Sequence, residues 1–217
     1  MEFEIIGVAY SRKMVFSEEG LDPRGVMSTI ANGDSFQQSE FIDKMRQLNL
    51  RNSIFIDITA SGIVAGAYEE ILKDTISIVT PNKIAASRSF AHYQLLKDTA
   101  NKFKSQFLFE TNVGAGLPVL STLSDLVKSG DRIIKIEAVL SGTLNFIFNN
   151  YNAKCSFVEV VKKAKKEGYT EPDPRLDLSG EDVMRKILIL ARESVYQFDF
   201  EDVDVNNFLP VKCQITG

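Results

Sequence analysis

The chain has 217 residues, 44% of them hydrophobic and 25% charged, with a formal net charge of -4. That is the composition of a soluble globular protein with room for one large domain or two small ones, and the acidic balance argues against a nucleic-acid partner. No apolar run approaches the length of a membrane span, and acids at Glu2 and Glu4 stand where a secretion signal needs cations, so a cytoplasmic protein is expected. Cys155 and Cys213 are too few for a disulfide framework and read as reduced thiols. His92 is the single histidine and reads as a packing or surface residue, so no zinc site is expected.

Residues 3–9 read as a short apolar strand, ending in Tyr10-Ser11-Arg12-Lys13. Residues 17–35 are rich in Gly, Ser, Asp and Asn and read as loop with room for one short helix. An amphipathic helix follows over 39–48, with Phe41, Ile42, Met45 and Leu48 on one side. Strands are predicted at 53–58, 75–79 and 106–109, and helices at 63–72 and 87–103. Strands alternating with helices of this length indicate a parallel sheet of βαβ units, and ligands gather at the carboxyl ends of such strands. After 120 the pattern changes. A helix to about Lys128 precedes a strand over 132–139, and Ser141 opens a further helix. Ser156 starts a helix running to Glu167, whose Lys162, Lys163, Lys165 and Lys166 read as a solvated face.

The polar motifs fall at the expected strand ends. Ser11, Arg12 and Lys13 close the first strand with two cations and no acid. An acid there would hold a ribose 2′-hydroxyl, whereas an arginine accommodates a 2′-phosphate, so the cofactor reading is NADP rather than NAD. A solvated charged turn is an equally good reading of these three residues alone. Thr59 and Ser61 precede a helix, where small hydroxyl residues suit N-capping and close approach of a ligand. Lys83, after Thr80-Pro81-Asn82, taken alone reads as a surface charge. Glu110 opens Thr111-Asn112-Val113-Gly114-Ala115-Gly116-Leu117, where two glycines allow a tight turn with inward carbonyls. A carboxylate with converging carbonyls is a hard-cation site, and a hinge between domains is the plainer alternative. Gly142 would let a substrate or nicotinamide approach the backbone.

One stretch organises the rest: Gly168-Tyr169-Thr170-Glu171-Pro172-Asp173-Pro174-Arg175-Leu176-Asp177-Leu178-Ser179-Gly180-Glu181-Asp182-Val183-Met184-Arg185-Lys186. It reads as a proline-stiffened acidic loop, with Ser179 as the N-cap of a helix running through Ala191 and Asp182 placed for a capping box. That helix is apolar on nearly every side, so it should be buried. Asp182 and Lys186 stand at i and i+4 on one of its faces, which by itself describes an ordinary intrahelical ion pair.

The stretch resembles the signature of homoserine dehydrogenase, and the wider chain is similar to the dehydrogenase half of bifunctional aspartokinase–homoserine dehydrogenases. Leu176 departs from the pattern, which has an acid there; Asp177 keeps the second acid. The resemblance implies an α/β fold: an incomplete Rossmann-like parallel sheet over 1–111, then an α+β catalytic and dimerisation domain over 112–217. It implies NAD(P)-dependent interconversion of L-homoserine and L-aspartate 4-semialdehyde, in threonine and methionine biosynthesis, by a homodimer or higher oligomer, with little activity expected of this chain alone. It assigns Lys83, Asp182 and Lys186 to catalysis and Tyr169, Glu171 and Asp177 to the amino-acid substrate. The cofactor is carried to Ser11, Arg12, Lys13, Thr59, Ser61, Asn82, Lys83 and Gly142. A sodium ion is carried to Glu110, Val113, Ala115 and Leu117. No G-x-G-x-x-G follows a strand, so the first strand and phosphate-binding turn are expected to lie before residue 3, with weak NADP binding and unpaired sheet edges as consequences. Two competing readings follow: a non-catalytic assembly module of the same family, and an NADP oxidoreductase acting on another amino-acid semialdehyde.

Overall fold

The structure, a computed structural model, describes residues 3–152, 154–207 and 209. It opens on a hairpin. β1 (Gly7–Tyr10) turns through Ser11 and Arg12 into β2 (Lys13–Phe16), antiparallel, with Gly7 opposite Phe16 and Tyr10 opposite Lys13. After α1 (Val26–Ala31), β3 (Asp34–Ser35) adds to β2, again antiparallel. This corrects the expectation that the first strand belongs to the parallel sheet. Its ladder partner lies two residues down the chain, reached through a tight turn in which Ser11 takes φ 45°. α2 (Gln38–Leu48) follows as predicted, and its Phe41 ring lies 4.7 Å from Phe16 and 6.4 Å from Phe55. The helix is therefore pinned to the hairpin on one side and to the next strand on the other.

The centre is parallel, as expected. β4 (Ile54–Ile56), β5 (Ser77–Val79) and β6 (Phe107–Leu108) lie in chain order. Between them run α3 (Gly62–Gly66), α4 (Tyr68–Lys73), α5 (Lys83–Ser87) and α6 (Phe90–Phe103). The helix predicted over 63–72 is thus split at Ala67, the one predicted over 87–103 is found as α6, and α5 is an additional short helix before it. Register aligns Phe55 with Ile78 and Ile78 with Phe107, and those side chains share one face. That face is buried under Tyr68, Ile71 and Leu72 of α4 and Leu96 and Ala100 of α6. Ile56, Val79 and Leu108 share the opposite face, where Ile56 keeps 64% of its surface and Leu108 47%. Parallel sheets are ordinarily covered on both faces; among the described residues this one is covered on one.

α7 (Val119–Lys128) is followed by residues 131–140 with no regular structure, where a strand over 132–139 was expected. Ile133, Ile136 and Leu140 lean on the core, while Ile134 is 90% and Val139 77% exposed. The apolar pattern is present, but among the described residues no strand pairs with it, and a ladder needs a partner. α8 (Gly142–Asn150) and α9 (Phe157–Lys166) close a small second cluster around Ile147, Val160, Ala164 and Leu178. α9 opens with a Ser156–Glu159 capping box, and its lysines are exposed.

α10 (Pro174–Leu178) is a helix where a loop was predicted: Asp173 caps it and Pro174 occupies its first turn. α11 (Glu181–Glu193) starts from Gly180 at φ 83°, not from Ser179, whose hydroxyl instead accepts from Glu181 N at 3.2 Å. Nor is α11 buried throughout: its second half carries Leu188, Ile189 and Leu190 into the core, while its first half is half-exposed. The main core joins Leu120 and Leu123 of α7 and Ile189 and Leu190 of α11 to the sheet residues, and so extends across residue 111. Cys155 is a free thiol, and Cys213 lies outside the described residues.

Candidate active site

α5 begins at the carboxyl end of β5, which puts Lys83 in its first turn. α11 packs against α5. The two helices bring together three residues that sequence singled out. Asp182 takes Lys186 Nζ at 2.6 Å on Oδ2 and Lys83 Nζ at 3.3 Å on Oδ1, so one carboxylate joins both ammonium groups. Lys186 also donates to the Leu140 carbonyl at 2.8 Å. The Lys186 side chain keeps 18% of its surface and that of Asp182 48%, so the pair stands at a rim rather than inside a core. Partial burial pushes the Asp182 carboxyl up. The hydrogen bond from Lys186 and the charges of Lys83 and Lys186 outweigh it and hold the group below its ordinary value.

The acidic loop is assembled by a different clamp. Asp177 Oδ2 accepts from Glu171 N at 2.9 Å, and its Oδ1 lies 2.9 Å from the Thr143 hydroxyl, which also contacts the Tyr169 carbonyl. Asp177 is therefore engaged in fixing the loop, whereas Glu171 and the Tyr169 ring are exposed. Tyr169 stacks on Phe146 with centroids 4.2 Å apart. Asp173 is held down to about 2 by the Arg175 guanidinium and by Arg175 N–H. Residues 140–143 link the two parts: the Leu140 carbonyl meets Lys186, Ser141 caps α8, and Thr143 meets Asp177. Gly142 between them is exposed with open space around it. Thr143 and Leu140 were not singled out from sequence; the Ser-Gly-Thr opening of a helix was the available signal.

The predicted cofactor residues fall into two groups. Ser11, Arg12 and Lys13 lie on the hairpin turn, and Lys13 Nζ donates to Gly33 O at 2.7 Å, leaving Arg12 exposed. Thr59, Ser61 and Asn82 form a corner at the ends of β4 and β5. Ser61 caps α3 through Val64 N at 3.3 Å, as expected. Asn82 is 3% exposed, and its side chain is taken up internally: Oδ1 accepts from Ile84 N, and Nδ2 donates to Ser61 O and to Asp57. Asp57 was missed, because an acid inside Ile-Phe-Ile-Asp-Ile reads as a strand residue.

The predicted cation loop is shaped by Gly114 at φ 84°, where an added Cβ would meet Val119 at 2.6 Å, and by Ala115 at φ 51°. Glu110 accepts from Leu120 N and Ser121 N, both at 2.8 Å, one on each oxygen. It thereby serves α7 as a cap. The Leu117 carbonyl accepts from Val119 N at 2.9 Å. Among the described residues no cluster of His, Cys, Asp and Glu side chains could hold a metal by itself.

Among the described residues, two of the surface hollows lie elsewhere. One, of about 240 Å³, is lined by Leu144, Leu178 and Val183 among others, and neither hollow takes in Lys83, Glu171 or Lys186.

Comparison with known proteins bears on this site. Residues 1–110 match the family model described as homoserine dehydrogenase, NAD binding domain, and residues 118–215 match the one described as homoserine dehydrogenase. The chain is 41% identical over 218 aligned residues to the chloroplastic bifunctional aspartokinase/homoserine dehydrogenase 1 of Arabidopsis thaliana, covering 99% of this chain and 24% of that protein. It thus spans about a quarter of the length of that relative. A Candida auris crystal structure titled as of unknown function is similar with TM-score 0.87 and 32% identity, over 97% of this chain and 61% of that one. A hyperthermophilic archaeal homoserine dehydrogenase in complex with NADPH is similar with TM-score 0.65 and 27% identity, over 77% of this chain and 50% of that one.

Proposed function

Because the chain belongs to the homoserine dehydrogenase family, we propose that it forms the substrate-handling part of an enzyme that interconverts L-homoserine and L-aspartate 4-semialdehyde with NADP(H). The observation that supports this reading is the Asp182 carboxylate between the ammonium groups of Lys83 and Lys186. A nicotinamide, when bound, supplies or takes the hydride; the protein must orient the substrate and manage one proton. A lysine ammonium at the rim can donate that proton to the carbonyl oxygen as it becomes the homoserine hydroxyl. Lys186 has two of its three donors committed, to Leu140 O and Asp182, which aims the third. Exposed Glu171 offers the anion for the substrate ammonium group, and Asp177 with Thr143 holds the loop that presents it. NADP is favoured by the NADPH complex of the archaeal homoserine dehydrogenase to which the chain is similar, with the exposed Arg12 as the cation offered to a 2′-phosphate.

Sodium belongs to the same proposal. Carboxylate and carbonyl oxygens are hard donors, and a carboxylate oxygen that accepts one N–H keeps a second lone pair. Glu110 with the carbonyls of Val113, Ala115 and Leu117 would hold the ion. Activity that rises on replacing lithium by sodium, and no longer does so in Glu110→Gln, is the expected outcome; equal activity in both salts would remove the ion from the proposal.

The test of the activity is oxidation of NADPH by L-aspartate 4-semialdehyde. In the whole enzyme of which this chain is the substrate-handling part, Lys186→Ala should lower kcat by about 100-fold or more while leaving the cofactor dissociation constant near that of the unsubstituted enzyme. Turnover by that variant at the parent rate would remove Lys186 from the chemistry. A second reading, a non-catalytic module that pairs with a longer relative through its sheet, is favoured by the bare Ile56–Val79–Leu108 face. NADPH titration in the presence of homoserine separates the two: only the dehydrogenase should saturate.

A further inference from the structure

Asp57 is 2% exposed, and each of its carboxylate oxygens is held. Oδ1 accepts from Thr59 N at 2.7 Å, while Oδ2 accepts from Tyr68 Oη at 2.5 Å and from Asn82 Nδ2 at 3.0 Å. The Thr80 hydroxyl donates to the Asp57 carbonyl at 2.9 Å and accepts from Asn82 N at 2.9 Å. Burial and the Asp57 hydrogen bond push the Tyr68 hydroxyl far up, so it remains a donor. Asn82 spans what Asp57 holds: Nδ2 also reaches Ser61 O at 3.0 Å, and Oδ1 caps α5 through Ile84 N at 3.1 Å. One buried carboxylate therefore ties the turn after β4 to the corner after β5, from which Lys83 projects. A fully engaged buried polar network fixes geometry more rigidly than apolar packing, because every alternative arrangement leaves a buried group unpaired.

We propose that Asp57 is a positioning residue: through Asn82 and the start of α5 it sets where Lys83 stands, and so completes the Lys83–Asp182–Lys186 cluster from beneath. The inference uses the proposed site only for the contact between Lys83 and Asp182, and its test needs neither cofactor nor turnover. A failed dehydrogenase assay would leave it standing.

The decisive variants are Asp57→Ala and Asn82→Ser. The first removes the acceptor of Thr59 N, Tyr68 Oη and Asn82 Nδ2 together. The second keeps a hydroxyl to cap Ile84 N but loses the amide that reaches Asp57. Amide exchange and the Asp182 carboxyl titration are followed by NMR on the 217-residue chain, with Asp182→Asn identifying the resonance. In Asp57→Ala the Thr59 and Ile84 amides should exchange about tenfold faster. In both variants the Asp182 titration should move up towards 3.8, because Lys83 has withdrawn. Faster amide exchange in Asp57→Ala with an unmoved Asp182 titration would reduce Asp57 to a local structural residue and overturn the proposal, as would no change in either. If Asp57→Ala fails to fold, Asn82→Ser decides: a raised Asp182 titration supports the proposal, and an unmoved one sinks it.

Discussion

Asp182 accepts from two lysines on different helices, and its behaviour with pH follows from that. Its folded value lies below the ordinary 3.8. A carboxyl depressed on folding contributes stability that is fully present above the unfolded value and is lost as pH falls through the folded one. Since nearly half of the side chain is exposed, solvent screens the pair and the contribution is modest. Asp182→Asn should therefore lower the melting temperature near neutral pH and lessen its fall below pH 3.8; parallel pH profiles for the two chains would show that the two lysines do not stabilise the carboxylate. At this scale the spacing showed the i, i+4 pair, and only the resemblance set Lys83 beside it; Lys83 lies 99 positions before Asp182 and reaches it because α5 meets α11. Asp57 was hidden for the same reason: the three groups that donate to its carboxylate lie on the turn after β4, on α4 and at the corner after β5.

Among the elements, the loop from Tyr169 to Asp177 depends on α8 for its shape. The Thr143 hydroxyl contacts the Tyr169 carbonyl and Asp177, and Asp177 in turn receives Glu171 N. Thr143→Val keeps the size and removes the hydroxyl, which should cost about 1–3 kcal/mol in denaturant unfolding. If Glu171 binds the substrate as proposed, the substitution should also raise KM for L-aspartate 4-semialdehyde more than it lowers kcat, because Glu171 loses its fixed presentation; equal KM values would detach the clamp from substrate binding. Local chemistry explains which elements were legible. α10 had its signal in Asp173 followed by Pro174, an N-cap and a proline in the first turn. The hairpin had none, since Ser-Arg is not the Asn-Gly or Asp-Gly of a tight two-residue turn. Residues 132–139 had the composition of a strand, but strand formation is a property of two segments rather than one.

Among the described residues one face of the parallel sheet is uncovered, with Ile54, Ile56, Val79 and Leu108 exposed on it. A contiguous apolar surface of this kind associates. The chain should sediment faster as its concentration rises, and Ile56→Lys or Val79→Lys should suppress that dependence with little effect on melting temperature. Sedimentation independent of concentration in the parent chain would mean that the face is satisfied in another way. What the sequence determined by itself was the alternation of strands and helices, the parallel character of the central sheet, and the residue types of the site, because hydrophobic period and capping chemistry are local. What only the tertiary structure decided was which strand pairs with which, which face of the sheet is buried, and that one carboxylate on α11 meets an ammonium from α5. These depend on hydrogen bonds and charges closing across dozens of intervening residues, and such contacts have no period along the chain from which they could be read.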